Sequence, residues 1–183
     1  MSREEALDLL KKHITNRKIL SHCLAVEVIM RGLAKHLRED EAVWGTVGLL
    51  HDLDYDKTKS NPEEHTLITA KMLENQVSNE IIRAIKAHNA KYTKVSPQTA
   101  MDKALIAADA VSGLLIACAL VMPSKRLEEV SIKTVKKKFK SKDFAKNVNR
   151  ERILVCQEMG IPIEGFFEIS LKSLQSISQE LGL

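Results

Sequence analysis

Apolar side chains recur along most of the chain with the spacing of an amphipathic helix. Between residues 17 and 38 the apolar positions are Ile19, Cys23, Val26, Met30, Leu33 and Leu37. This i, i+3, i+4 pattern is typical of a helix that buries one face. No stretch alternates with the period of two expected of a strand, so the sequence predicts an all-α protein. The predicted helices span about 3–13, 17–38, 40–52, 61–75, 78–89, 96–122, 150–159 and 163–181.

Two of these helices have marked start signals. Asn61 can cap a helix, Pro62 suits its first position and Glu64 can complete a capping box, so a helix is expected to begin there. Ser96 followed by Pro97 predicts the start of the long apolar helix in the same way.

The composition favours one helical domain. The 183 residues are long enough for a sizeable core, and the chain has only 7 glycines, 4 prolines and 4% aromatic residues. We expect a single domain over 1–183, with its core in about 15–122 and a helical extension over 123–183. The lysine-rich run at 133–142 is interpreted as a solvated face. The run could still border an anionic substrate. Its only interleaved aromatic residues are Phe139 and, just beyond it, Phe144, so nucleic acid binding is not expected.

The long apolar stretch at 104–122 approaches the length of a membrane span. It contains Asp109 and Ser112 and has no second segment like it, so we interpret it as a buried helix with no membrane association. The N-terminal residues lack the apolar run of a signal peptide. The cysteines at 23, 118 and 156 form no CxxC pair, which favours reduced thiols and a cytoplasmic protein.

Several polar side chains fall on apolar helix faces or at their ends. They are His22, His51, Asp52, His65, His88 and Asp109. A lone core-facing histidine is usually structural, but buried carboxylates without partners cost several kcal/mol. One or two divalent cations would compensate the carboxylates and accept neutral imidazoles as ligands. Mixed His/Asp ligation suits Mn, Fe, Co, Ni or Zn better than Mg.

The order His22, His51-Asp52, Asp109 resembles the HD superfamily of metal-dependent phosphohydrolases. The settings are similar too, since "LLHD" ends one helix and "AAD" lies on a long later one. The whole chain is similar to small HDIG-type HD proteins through "HDLDYDKTKSNPEEH", "IKAHN" and "VKKKFKSKDFAKNVNRE". The resemblance implies an HD-domain helical bundle with additional C-terminal helices.

The same resemblance implies a role for each polar side chain. His22, His51, Asp52 and Asp109 would hold one metal, while Asp52 would bridge to a second one completed by His65 and His88. His51 and Asp52 would be the catalytic pair, and metal-activated water would attack a phosphate ester of a small molecule or nucleotide.

Phosphate also needs cations, and the nearest candidates are Lys57, Lys91 and Arg17. Asp54, where the HDIG label implies glycine, adds an acid beside the site, and whether it takes part in catalysis stays open. Asp54 and Asp56 are expected on a loop, where they can be solvated or paired with Lys57. The alternatives are a dinucleoside polyphosphate hydrolase, a non-catalytic module that senses a nucleotide or metal, and a purely structural metal site. A homodimer stays open.

Overall fold

The computed structural model describes residues 1–183, which form helices and no strand. The α-helices are α1 (Arg3–His13), α2 (Arg17–Leu37), α3 (Glu41–Leu50), α4 (Tyr55–Thr58), α5 (Leu67–Leu73), α6 (Asn79–His88), α7 (Ala90–Thr93), α8 (Ala100–Leu120), α9 (Ile132–Lys140), α10 (Arg150–Leu154), α11 (Ile163–Gln175) and α12 (Ser178–Leu181). Short 3-10 helices cover Leu127–Glu129 and Val155–Met159. The predicted all-α fold is confirmed.

Side-chain caps fix where several helices begin. Asp40 accepts hydrogen bonds from the amides of Ala42 and Val43 at 2.8 and 3.0 Å, which starts α3. Helix α8 begins later than the predicted start at Ser96. Thr99 and Asp102 form its capping box, so the extended residues before Thr99 stay outside the helix.

The helix predicted to start at Asn61 is wrong in its first part. Residues 62–66 form turns, and α5 begins only at Leu67. Thr66 has a left-handed backbone with φ of 70°, which no α-helix continues through. The last predicted helix is also divided, since α11 ends at Gln175 and α12 is a separate short helix.

Helices α2 and α8 form the centre of the bundle, and α3 packs closely against α2. Gly48 of α3 makes this close approach possible, because a Cβ there would lie 2.8 Å from the carbonyl oxygen of Val26. The C-terminal end of α3 is therefore held beside α2.

The residues after Pro123 share the core of the preceding helices. Helices α9 and α10 pack on α8, and α11 packs on α2. The fully buried Phe166 and Leu174 belong to the same apolar cluster as the core residues of α2 and α8. This packing brings α10 alongside the middle of α8.

Helix α8 is long and apolar enough to cross a membrane by length and composition, with a mean hydropathy of 1.8. In the fold, 61% of that apolar window is buried against other helices. The helix thus has the packing of a core helix, in agreement with the interpretation of residues 104–122.

Candidate metal centre

Four helices and two turns bring together all six side chains predicted as metal ligands. His22 lies on α2, His88 is the last residue of α6, and Asp109 lies in the middle of α8. His51 and Asp52 follow α3 directly, where the buried Leu49 and Leu50 fix the helix end in the core. His65 lies in the turns before α5.

The two carboxylates lie among the four imidazoles. Asp52 has its oxygens 3.3 Å from Nε2 of His65, 3.4 Å from Nε2 of His51 and 3.8 Å from Nε2 of His22. Asp109 has its oxygens 3.0 Å from Nε2 of His88 and 3.2 Å from Nε2 of His22. The imidazole rings stand edge to face with centroids 5.1–5.5 Å apart.

Three of the imidazoles are oriented through Nδ1. His51 Nδ1 lies 2.8 Å from the carbonyl oxygen of Gly48, which can only accept a hydrogen bond. His22 Nδ1 lies 3.2 Å from the hydroxyl of Ser112, whose own hydrogen is donated to the Asp109 carbonyl oxygen. In the neutral rings these partners place the proton on Nδ1 and leave the Nε2 lone pair facing the cluster, as in metal-binding histidines. When His22 is protonated, its Nε2 carries the second proton and donates to Asp109.

The partner of the third imidazole is Asp54, and its placement corrects the sequence interpretation. Asp54 is fully buried rather than solvated, and it makes no ion pair with Lys57. Its carboxylate accepts from Nδ1 of His65 at 2.8 Å and from the amides of Thr66 and Thr69 at 2.8 and 2.9 Å. Asp54 therefore has two roles: it orients His65, and it accepts the amide hydrogen bonds at the beginning of α5.

Asp56 was likewise expected to be solvated or paired with Lys57. It makes no ion pair with Lys57. Its partly exposed carboxylate accepts hydrogen bonds from the amide of Thr15 at 2.8 Å and the amide of Asn16 at 3.3 Å. It stabilises the entry to α2 and lies outside the cluster. Of the two carboxylates after the His-Asp pair, only Asp54 reaches the site.

Another contact that the sequence did not predict fixes the turn of His65. Asn89, directly after His88, donates from its side-chain amide to the carbonyl oxygens of Pro62 and His65 at 3.0 and 2.9 Å. The segment "IKAHN" thus contributes one candidate ligand and the group that holds another in place.

The protonation of the cluster follows from burial and from the carboxylates. Burial lowers the pKa of His51 to about 4, so its ring is neutral at physiological pH. Burial acts in the same direction on His22 and His65, but hydrogen bonds to carboxylates and nearby negative charge outweigh it and raise their pKa. Burial opposes ionisation of Asp109, yet hydrogen bonds from His22 and His88 hold its pKa well below the usual range.

A divalent cation fits this donor set. Nε2 of His51 is buried without any hydrogen-bond partner, and neither Asp52 nor Asp109 accepts a backbone hydrogen bond. Two groups offer ligand atoms that all lie within 4.8 Å of one another, namely His22, His51, Asp109 and His51, Asp52, His88. Nitrogen and carboxylate donors in such a mixture suit transition-metal ions.

An arginine that the sequence did not single out also reaches the cluster. Arg152 of α10 has Nη2 3.0 Å from an oxygen of Asp109 and 3.3 Å from the carbonyl oxygen of His88. It lines a cleft of about 270 Å³ together with His22, Asp109 and the loop at Asn147. The only sequence signal is its position directly after the quoted tail segment "VKKKFKSKDFAKNVNRE", which ends at Glu151.

The three cations predicted to bind phosphate differ in their surroundings. Arg17 lines a second cleft of about 430 Å³ that shares His22 with the first and is otherwise largely aliphatic. Lys91 has its ammonium 4.8 Å from the centre of the Tyr92 ring, and Lys57 is exposed on α4. Neither lysine pairs with any of the six side chains. Their roles in binding phosphate stay predictions.

Fold and site together define an all-α protein with a His/Asp cluster able to hold a metal ion. A family model described as HD domain matches residues 19–114, slightly more than half of the chain, so the chain belongs to the HD domain family. The six clustered side chains all fall within the matched range, whereas Arg152 lies beyond it. Proteins of this family are generally metal-dependent phosphohydrolases. No solved structure matches the chain significantly.

Proposed function

We propose that this protein is a metal-dependent phosphohydrolase that cleaves a phosphate ester of a small molecule or nucleotide. The observation that carries the proposal is the clustering of four imidazoles around two carboxylates, with the buried Nε2 of His51 left without a hydrogen-bond partner. Five of the six side chains form two candidate ligand groups that share His51. Membership of the HD domain family supports the same reaction class.

The six side chains divide into two sets that share Asp52. His22, His51, Asp52 and Asp109 would hold one ion, and His65 and His88 would complete a second site with Asp52. Mn, Fe, Co, Ni or Zn suits these donors better than Mg. A bound divalent ion supplies positive charge for the phosphoryl oxygens and acidifies water.

The chain's own groups supply orientation and exclude solvent. His51 is fully buried and Asp52 nearly so, and both sit on a helix end that packs in the apolar core. This rigidity would keep His51 and Asp52, the proposed catalytic pair, at fixed positions relative to substrate. The clefts on either side of His22 leave room for the phosphoryl group and for the rest of a small substrate.

The test is to strip the purified protein of metal, reload it with each candidate ion and measure hydrolysis. Bis-p-nitrophenyl phosphate, p-nitrophenyl phosphate, a nucleotide panel and dinucleoside polyphosphates cover the proposed substrates. We expect turnover that depends on metal and is lost in His51→Gln and Asp52→Asn. His36→Gln is a matched control, because His36 is exposed at the far end of α2.

The outcomes separate the alternatives. Turnover confined to dinucleoside polyphosphates would identify that more specific activity. A folded, metal-loaded protein without turnover on any phosphoester would contradict the proposal and favour a module that senses a metal or nucleotide.

A further inference from the structure

We propose that the C-terminal extension supplies the phosphate-binding cation of this site, and that the cation is Arg152. Resting on the proposed function, this inference concerns a residue beyond the range matched by the family model. Arg152 would hold the non-bridging oxygens of the substrate's phosphoryl group in the cleft beside Asp109.

Beside the metal ions, a protein cation would suit the charge of the site. Asp52 and Asp109 place two negative charges where an anionic phosphoryl group must enter, and a like charge in such a place is strongly unfavourable. Among all lysines and arginines, only Arg152 forms an ion pair with one of the six clustered side chains. It is thus the one protein cation in position to offset that repulsion.

The guanidinium of Arg152 has donors to spare. Nη2 is used by Asp109 and by the carbonyl oxygen of His88, while Nε is buried and has no hydrogen-bond partner. A buried donor without a partner costs about 1–3 kcal/mol, which an oxygen accepting from Nε would relieve. Nη1 donates to no protein acceptor either. The planar fork of an arginine matches two phosphate oxygens at once.

A second arginine holds the segment that carries Arg152. The guanidinium of Arg150 donates to the carbonyl oxygens of Phe139, Ser141, Phe144, Ala145 and Val148. The side chain of Asn149 caps α10 by accepting from the amides of Glu151 and Arg152. The side chains of Arg150 and Asn149 therefore hold the loop before α10 in one conformation.

The fastened loop also packs directly on the site helix. Gly113 lies one turn beyond Asp109 on α8, and a Cβ at Gly113 would be 3.3 Å from Cγ2 of Val148. This glycine lets the loop approach α8 beside the cluster. These hydrogen bonds and this packing therefore hold Arg152 in position against Asp109.

The experiment uses the full-length metal-loaded protein with Arg152→Gln and Arg152→Lys. Affinity for inorganic phosphate is measured by calorimetry, KM and kcat by hydrolysis of p-nitrophenyl phosphate, and metal content and helical circular dichroism in parallel. Arg126→Gln is the matched control, because Arg126 pairs only with the exposed Glu128.

We expect Arg152→Gln to weaken phosphate binding and raise KM about 10- to 100-fold, the loss typical of a charge-assisted hydrogen bond. Metal content should stay unchanged, Arg152→Lys should recover part of the loss, and Arg126→Gln should match the wild type. Unchanged phosphate affinity in Arg152→Gln would overturn the inference. So would loss of metal in both variants, since Arg152 would then merely fix Asp109.

The two proposals fail in different ways. If the wild type hydrolyses no phosphoester but its affinity for phosphate depends on Arg152, the enzymatic proposal fails and the cation assignment stands. If the wild type turns over and neither KM nor phosphate affinity responds to Arg152→Gln, the assignment fails alone. A wild type that binds no phosphate at all also overturns it.

Discussion

Replacing Asp54 by asparagine separates the orientation of His65 from the packing around it. In the wild type, one carboxylate oxygen accepts from the amides of Thr66 and Thr69, and the other accepts from Nδ1 of His65. An asparagine can keep an oxygen for the two amides, but then it presents NH₂ to His65. The imidazole must accept there, so its proton moves to Nε2, and Nε2 can no longer bind a metal.

The expected magnitudes follow from these contacts. Three charge-assisted hydrogen bonds become neutral ones or are replaced, at about 1 kcal/mol each, so the metal-free protein should lose about 3 kcal/mol of unfolding free energy. Metal affinity should fall about 10- to 100-fold, as when the orienting partner of a metal-binding histidine is removed. The loss of stability and the loss of metal affinity both follow from replacing one carboxylate oxygen of Asp54 by an amide nitrogen.

The assay combines urea unfolding of the metal-free protein with metal titration against a competing chelator. Asp56→Asn is the matched control, since Asp56 accepts backbone hydrogen bonds from Thr15 and Asn16 outside the cluster. The control should keep its metal affinity. Wild-type metal affinity in Asp54→Asn, with His65 still protonated on Nδ1 by nitrogen NMR, would refute the reasoning.

Three further predictions address the packing, the metal and the pH dependence. Gly48→Ala should cost about 3 kcal/mol or more in urea unfolding, because its Cβ would meet the backbone oxygen of Val26 at 2.8 Å. Gly165→Ala on α11 meets nothing within 4 Å and should be neutral or stabilise by up to about 1 kcal/mol, since alanine favours the helix. Metal at a hundredfold excess over its Kd should raise the unfolding free energy by about 2.7 kcal/mol without changing helical circular dichroism, and collapse of the helices on chelation would instead show a structural site. Because the pKa of His22 and of His65 is raised above the ordinary value of 6.5, protons compete with metal on these rings. Affinity should therefore fall as pH falls towards and below 6.5. Metal binding should release protons, which calorimetry in two buffers of different ionisation enthalpy detects, and a pH-independent affinity would contradict this assignment.

The helices were predictable from the sequence wherever period and caps agree. The stripe through Val26 and Leu33 places α2 correctly, since local periodicity and burial point to the same face. The helix start at Asn61 was mispredicted, because the amide of Thr66, which would bond to the oxygen of Pro62 in that helix, has a tertiary partner instead. Asp54, distant in sequence, binds the amides of Thr66 and Thr69 and moves the start to Leu67.

In the site, too, the residues marked by their local sequence could be predicted, and the residue placed only by tertiary packing could not. Five of the six side chains could be grouped because each sits on or just beyond an apolar helix face, whereas His65 lies in the turns before α5. The family match covers all six. Arg152 could not be found this way, since nothing in its local sequence distinguishes it from the surrounding basic residues. Its position depends on how the loop fastened by Arg150 packs against Gly113 on α8.

The orientation of the imidazoles indicates what the cluster is for. The chain provides separate partners for Nδ1 of three rings, a carbonyl oxygen for His51, a hydroxyl for His22 and the buried Asp54 for His65. Each partner directs a bare Nε2 at two carboxylates that have no backbone donors. Leaving the buried Nε2 of His51 without a hydrogen bond costs about 1–3 kcal/mol, and concentrating the carboxylates adds repulsion. A protein under selection for stability alone would relieve these costs with apolar side chains, because such replacements of buried polar groups are often neutral or stabilising. The costs are consistent with a site built to bind a cation, whose ligation would offset the unpaired nitrogen and the carboxylate repulsion together.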